Sequence, residues 1–265
     1  WEKPELDFRT IDGHKTNICM GNEEYGEVHA CSVLLDPFET DEARRYKAIY
    51  WTEKGDSQAT ARIATAHSPD GRVWTPYDAP LRIGEISQRQ LGDVIILSAD
   101  TVTGEYHLDT RNRAMGQTSR NPKHDITTGW GDRYYPNDPW RMGKRRIFST
   151  NSRDINNWPM LREMLVPDDV ASNLDDEFYG LTRFRMGDLH VAFLDVFHTT
   201  HNTKDFYLLY SRDGYNWDWV NRGQPFIDRS PEGGWDCYMV EVCNRPLFLD
   251  DEIRIYYGGA NHHHD

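Results

Sequence analysis

The chain has 265 residues, enough to bury a sizeable core in one large all-β domain or two small ones. Nine Trp and fourteen Tyr bring the aromatic share to 12%, which suits strands and sugar-facing surfaces better than helices. A formal net charge of −13 argues against nucleic acid and against an anionic membrane surface, since both call for a basic face.

In chain order, Trp1-Glu-Lys-Pro-Glu-Leu comes first and reads as the end of a turn motif whose beginning lies upstream. The start at Trp1 rather than Met fits an exported, processed protein or a fragment, and no stretch reads as a signal peptide. No apolar run is long enough to span a bilayer. Strands are expected at Val28–Leu35, Arg45–Trp51 and Ala59–Ala66, where β-branched and aromatic residues lie between turn residues. Ser68-Pro-Asp-Gly-Arg-Val-Trp74 then closes the first set. Asp-Gly makes a tight turn, with Gly at positive φ, while the Ser and Asp oxygens bond turn amides and the Trp caps the unit by packing across the seam to its neighbour.

The pattern recurs. Strands at Val94–Ala99, Glu105–Arg111 and Arg145–Ser149 lead to Ser152-Arg-Asp-Ile-Asn-Asn-Trp158, a copy without the Gly. Strands at Tyr179–Phe184, Leu189–Phe197 and Asp205–Tyr210 lead to Ser211-Arg-Asp-Gly-Tyr-Asn-Trp217. Strands at Tyr238–Val242 and Glu252–Tyr257 follow. Three strands, a turn and a Trp make the four-stranded blade of a β-propeller. The expected fold is all-β: a single five-bladed β-propeller domain with one blade incomplete in this chain, its blades at 27–82, 92–162, 176–226 and 236–265, with 1–20 finishing another. Residues 114–143 form a long polar insertion whose aromatics, Trp130 among them, suit a lid or ligand wall.

Leu34-Leu-Asp-Pro37 followed by Ala43-Arg-Arg-Tyr-Lys47 resembles a segment of five-bladed propeller proteins related to glycoside hydrolase families 32 and 43. Trp1-Glu-Lys-Pro-Glu-Leu, Glu177-Phe-Tyr-Gly180 and Ile253-Arg-Ile-Tyr-Tyr-Gly-Gly259 are similar to the same group, and the likeness runs through nearly the whole chain. The resemblance implies a carbohydrate pocket at one end of the propeller channel, with catalytic carboxylates on the innermost strands of different blades. The catalytic motifs of those two families are not matched, so candidate residues are placed by their position in the blade.

Glycoside hydrolysis needs two carboxyl groups, one acid and one base or nucleophile, often with a third that tunes the acid. Asp93 precedes an inner strand and reads either as base or pKa-tuning carboxylate or as a turn Asp. Glu177 lies in Asp175-Asp176-Glu177, a cluster whose members raise one another's pKa, which suits a general acid; the plainer reading is a solvated acidic loop. Asp236 opens the fourth inner strand. Glu241 has opposite parity to it, so an unbroken strand would point the two to opposite faces; a structural Glu241 paired with Arg245 or another arginine is the alternative. The expected catalytic set is Asp93, Glu177 and Asp236. The expected substrate-binding set is His29, Arg111, Asp176, Glu241, Trp130 and His262. His29 reads equally well as a packed histidine, Arg111 as one half of a surface ion pair, and Asp195 and His198 as structural.

Consecutive residues in a strand alternate faces, so His262-His-His264 rarely meet one ion, and no metal is assigned. No cofactor is expected beyond a structural Ca²⁺ or Na⁺ in the channel. Cys19, Cys31, Cys237 and Cys243 show no C-x-x-C pair and read as free thiols, with a Cys19–Cys31 disulfide as the alternative that would imply export. The leading expectation is a glycoside hydrolase acting on an oligo- or polysaccharide, secreted or periplasmic, with a cytoplasmic location as the alternative. Two alternatives stand beside it: a non-catalytic glycan-binding propeller, and a glycan phosphorylase with Arg111, Arg113 and Arg183 on phosphate.

Overall fold

The computed structural model describes residues 4, 6–21, 27–53, 62–78, 81–84, 93–113, 144–167, 172–173, 175–242 and 244–264. The insertion 114–143, including Trp130, and the side chain of Arg113 lie outside them. The chain forms two compact units, residues 1–106 with 151–160 and residues 107–150 with 161–265.

In the first unit, β1 (Thr10–Ile11) and β2 (His14–Lys15) make a small hairpin. β3 (Glu27–Leu35), β4 (Tyr46–Glu53), β5 (Arg62–Ser68) and β6 (Thr75–Pro76) form a four-stranded antiparallel sheet in sequence order, preceded in β4 by a short 3₁₀ turn at Glu42–Arg44. β7 (Arg82–Ile83) and β8 (Ile95–Asp100) follow. Ala48, Tyr50 and Ala66 form the core of this sheet.

The segment that carries the family resemblance is a buried polar network. Asp36 accepts hydrogen bonds from the Phe38 amide (2.9 Å) and the Tyr106 hydroxyl (2.6 Å). Lys47, almost fully buried, pairs with Glu39 at 2.6 Å and Asp36 at 3.6 Å. A buried charge persists only when it is paired and hydrogen-bonded, so this motif holds the blade together.

β9 (Glu105–Arg113) and β10 (Arg145–Ser152) begin and end across the division between the units, and β11 (Asn157–Trp158) pairs parallel with β7 in the first unit. In the second unit β10 pairs with β12 (Arg162–Leu165). β13 (Asp176–Met186), β14 (Leu189–His198), β15 (Thr203–Ser211) and β16 (Asp218–Trp219) pair antiparallel in sequence order. β17 (Met239–Val242) joins β15 through the Lys204↔Met239 register, and β20 (Tyr257–Ala260) pairs with β17. β18 (Leu247–Phe248) and β19 (Ile253–Arg254) make a separate hairpin. The run Glu252–Tyr257, expected as one strand, is therefore broken. Ile253–Arg254 pairs with β18, Tyr257 begins β20 and its pairing with β17, and residues 255 and 256 lie in neither strand.

The repeated turn is built as its chemistry requires. In both Gly-containing copies the Ser hydroxyl accepts from the Gly amide at 2.9 Å, and the Asp carboxylate accepts from the two following amides at 2.8–3.0 Å. Gly71 and Gly214 sit at φ 75° and 77°, where a side chain is strained. The third copy closes without such a residue: Asp154 accepts from the Asn156 amide at 2.9 Å instead. The Trp roles differ. Trp158 is buried and donates to the Ile155 carbonyl at 2.7 Å. Trp217 packs on a core shared by β10 and β13–β15. Trp74 packs against the core of its own sheet, Ala48, Tyr50 and Ala66.

Candidate functional site

Both long inner strands, β3 and β13, carry a β-bulge near their starts. In β13 the register runs Phe178↔Val196 and then Gly180↔Asp195, so Tyr179 is the extra residue. A bulge re-aims the side chain it carries and is common beside active sites. In β3 the register passes from His29↔Trp51 to Ser32↔Ile49, and Ala30 takes φ 45°, rare for a residue with a Cβ.

The re-aimed Tyr179 is the centre of a cluster in the second unit. The Arg111 guanidinium lies 3.8 Å from its ring centroid, Lys204 Nζ 4.5 Å and Arg145 5.4 Å. Cations over an aromatic face are held by the ring quadrupole. The Tyr179 hydroxyl shares a 2.5 Å hydrogen bond with His264 Nε2. Glu177, fully buried, is ion-paired to Arg145, and Glu241, half-exposed, to Lys204. The strand joint fixes this geometry: the Lys204 amide donates to the Tyr238 carbonyl at 3.0 Å, bringing β15 and β17 together where Lys204 and Glu241 meet.

Asp195 faces the same group. It is buried in β14, in the apolar run Val191-Ala-Phe-Leu-Asp-Val-Phe197. Burial pushes its carboxyl up to about 7, against the pull of Lys204 and with the push of Glu241. Its Oδ1 has no hydrogen-bond partner among the described residues.

The sequence-predicted residues fall into three groups. Glu177, Arg111 and Glu241 come together around Tyr179. Glu241 pairs with a lysine rather than an arginine, because β15 carries Lys204 at the joint. Asp176 and Asp236 lie in the same unit with other partners. His198 Nδ1 sits 2.7 Å from Asp176, whose carboxyl is consequently held low despite its burial, the opposite of a carboxylate cluster raising its own members. Asp236 lies in a turn ahead of β17, so the parity argument does not apply; it accepts from Ser230 and from the Tyr257 hydroxyl at 3.3 Å. His29 and Asp93 are exposed and lie in the first unit.

His262, His263 and His264 go to three different partners: the His263 carbonyl, the Tyr238 ring and Tyr179. The residue that reaches the cluster is His264, not His262. Arg183 is committed to structure. It grips Asp109 with Nε and Nη2 and bonds Ser149, the Gly214 carbonyl and His107 Nδ1, which occupies all five of its donors. Cys19, Cys31 and Cys237 are free thiols, and Cys31 is exposed. A separate cavity of about 490 Å³ in the first unit is lined by Phe8, Arg9, Tyr50, Arg72 and Trp74, and contains none of the predicted site residues.

The residues that sequence reasoning missed are Tyr179, Lys204, His264 and the role of Asp195. One signal was available: a carboxylate in the middle of an apolar strand, which needs an explanation wherever it occurs.

No family model matches the sequence, and no curated protein matches it. Solved structures do match. A glycosyl hydrolase from Bacteroides ovatus superposes with a TM-score of 0.55 at 14% identity, over 89% of this chain and 61% of that one. A second match comes from work on the GH130 family of mannoside phosphorylases, which contains glycoside hydrolases that target β-1,2 mannosidic linkages in Candida mannan; its TM-score is 0.59 at 12% identity, over 97% of this chain and 69% of that one. The Bombyx mori GH32 β-fructofuranosidase in complex with sucrose matches with a TM-score of 0.53 at 14% identity, over 89% of this chain and 42% of that one. This chain spans 60–62% of the length of the first glycoside hydrolase structures it matches. Its fold is the all-β five-bladed propeller of these glycoside hydrolases, as expected from the blade motif.

Proposed function

We propose that the protein is a carbohydrate-active enzyme, a glycoside hydrolase that cleaves an oligo- or polysaccharide with a pair of carboxyl groups beside Tyr179. The observation that carries this reading is the bulge at Tyr179, which gathers Glu177, Asp195 and Glu241 at one joint between strands. Carboxyls in contrasting environments are what glycosidic cleavage requires, since burial keeps a proton on one while exposure leaves the other ionised. The fold supports the reading by analogy alone. A panel of glycans incubated with the protein in phosphate-free buffer tests it, with release of reducing sugar as the expected result. Glycan binding without turnover would make this a binding propeller instead. Amide variants of Asp93, Glu177 and Asp236 test whether the residues expected from sequence take part: lost turnover in a folded protein supports a catalytic role.

A glycan phosphorylase is favoured by a second observation, the convergence of Arg111, Arg145 and Lys204 on one ring. Such a group of cations suits a phosphate. Turnover that needs inorganic phosphate and yields a sugar phosphate would select this reading.

A further inference from the structure

We infer that Asp195 is the general acid of this site and Glu241 its complementary base, with Lys204 as the residue that positions both. The assignment rests on the glycoside hydrolase reading and adds to it the identity of the reacting pair.

The geometry is specific. Asp195 lies opposite Gly180, the residue immediately after the Tyr179 bulge, so the distortion in β13 lies next to this carboxyl. Neighbouring residues of β14 are apolar and buried, and they leave the carboxyl little water. From β17 the Val242 amide hydrogen-bonds the carboxyl and Glu241 faces it; from β15 comes Lys204. The remaining oxygen, Oδ1, has no hydrogen-bond partner among the described residues. A buried polar atom without a partner in the protein calls for an explanation, and a catalytic role is one. Lys204 is buried, pairs with Glu241 and lies over Tyr179. It therefore holds Glu241 in register with Asp195 while leaving Glu241 half-exposed to solvent.

The step balances. The Asp195 carboxyl gives its proton to the glycosidic oxygen as the bond from that oxygen to the anomeric carbon breaks. Water adds to the anomeric carbon and loses a proton to the Glu241 carboxylate. The proton returns from Glu241 to Asp195 through solvent, so one water is consumed and no other reactant is needed. Burial supports the acid role by keeping Asp195 protonated near neutral pH.

Leaving-group dependence tests the assignment directly. The full chain and Asp195→Asn are compared on panels of 4-methoxyphenyl and 2,4-dinitrophenyl glycosides. A general acid matters for the first leaving group and hardly for the second, which departs without protonation. The expected result is a fall of about 10²–10⁴-fold in kcat on the methoxyphenyl substrate and of less than about tenfold on the dinitrophenyl one. Lys204→Met should move the alkaline limb of the pH–rate profile upward, since Lys204 lowers the Asp195 pKa. Equal rates for Asp195→Asn and wild type on both substrates, or equal losses on both, would overturn the assignment and leave the hydrolase reading standing. A wild-type protein inert on every glycoside would overturn both.

Discussion

Replacing His198 by alanine should destabilise the protein strongly near neutral pH and much less at pH 10. His198 bridges two buried carboxylates, Asp176 at 2.7 Å and Asp205 at 3.1 Å, and Asp205 is also held by Arg229 at 2.7 Å. Burial alone would push the imidazolium down, but the hydrogen bonds to Asp176 and Asp205 outweigh it and raise its pKa from 6.5 to about 9. At about 1.4 kcal/mol per pKa unit this rise corresponds to about 3 kcal/mol. The folded-state pKa lies above the unfolded one. The contribution is therefore complete below pH 6.5 and is lost as pH rises through about 9. Breaking a buried pair by removing one partner typically costs about 3–5 kcal/mol, because the other charge is left uncompensated. Urea unfolding of wild type and His198→Ala at pH 6 and pH 10 measures the difference. The gap in stability should be about 3 kcal/mol or more at pH 6 and should shrink by about that amount at pH 10. An equal gap at both pH values would refute the charge argument and reduce His198 to packing.

Gly214→Ala should cost more than Gly104→Ala. Both glycines have positive φ, but a Cβ at 214 would also come within 3.0 Å of the His190 ring while 104 is open, so thermal unfolding should separate them by about 1 kcal/mol or more. Arg183→Lys keeps the charge but loses the two-pronged grip on Asp109, and should destabilise by about 2–4 kcal/mol in the same assay. His264→Phe keeps the ring packing on Phe197 but removes the partner of the Tyr179 hydroxyl; the expected outcome is reduced kcat with little change in melting temperature.

Much of the fold was legible because a blade repeats its local chemistry. Ser68, Asp70 and Gly71 announce a turn by residue type, and the same amide bonds recur at Ser211, Asp213 and Gly214. Strand runs such as Leu189–Phe197 follow from apolar and β-branched content. The site was less legible. Glu177 was expected just ahead of a strand at Tyr179–Phe184 and lies within β13, and nothing in Glu-Phe-Tyr-Gly indicates that Tyr179 bulges; that depends on the register with β14. Lys204 and Glu241 are far apart in sequence and meet because β15 pairs with β17, where the Lys204 amide donates to the Tyr238 carbonyl. Asp176 and Asp175 look alike in sequence, yet His198 on the paired strand takes Asp176 into a salt bridge. Long-range pairing of this kind leaves no local signature.

Hydrolysis of a glycosidic bond by carboxyl groups gathered beside Tyr179 must depend on Glu241. Reducing-sugar release from a glycan panel in phosphate-free buffer, measured for wild type and Glu241→Gln side by side, tests it most directly. The expected result is turnover by wild type and a loss of about 10²-fold or more in Glu241→Gln, with the circular dichroism spectrum unchanged. No turnover by wild type, or equal turnover by the two proteins, would contradict it.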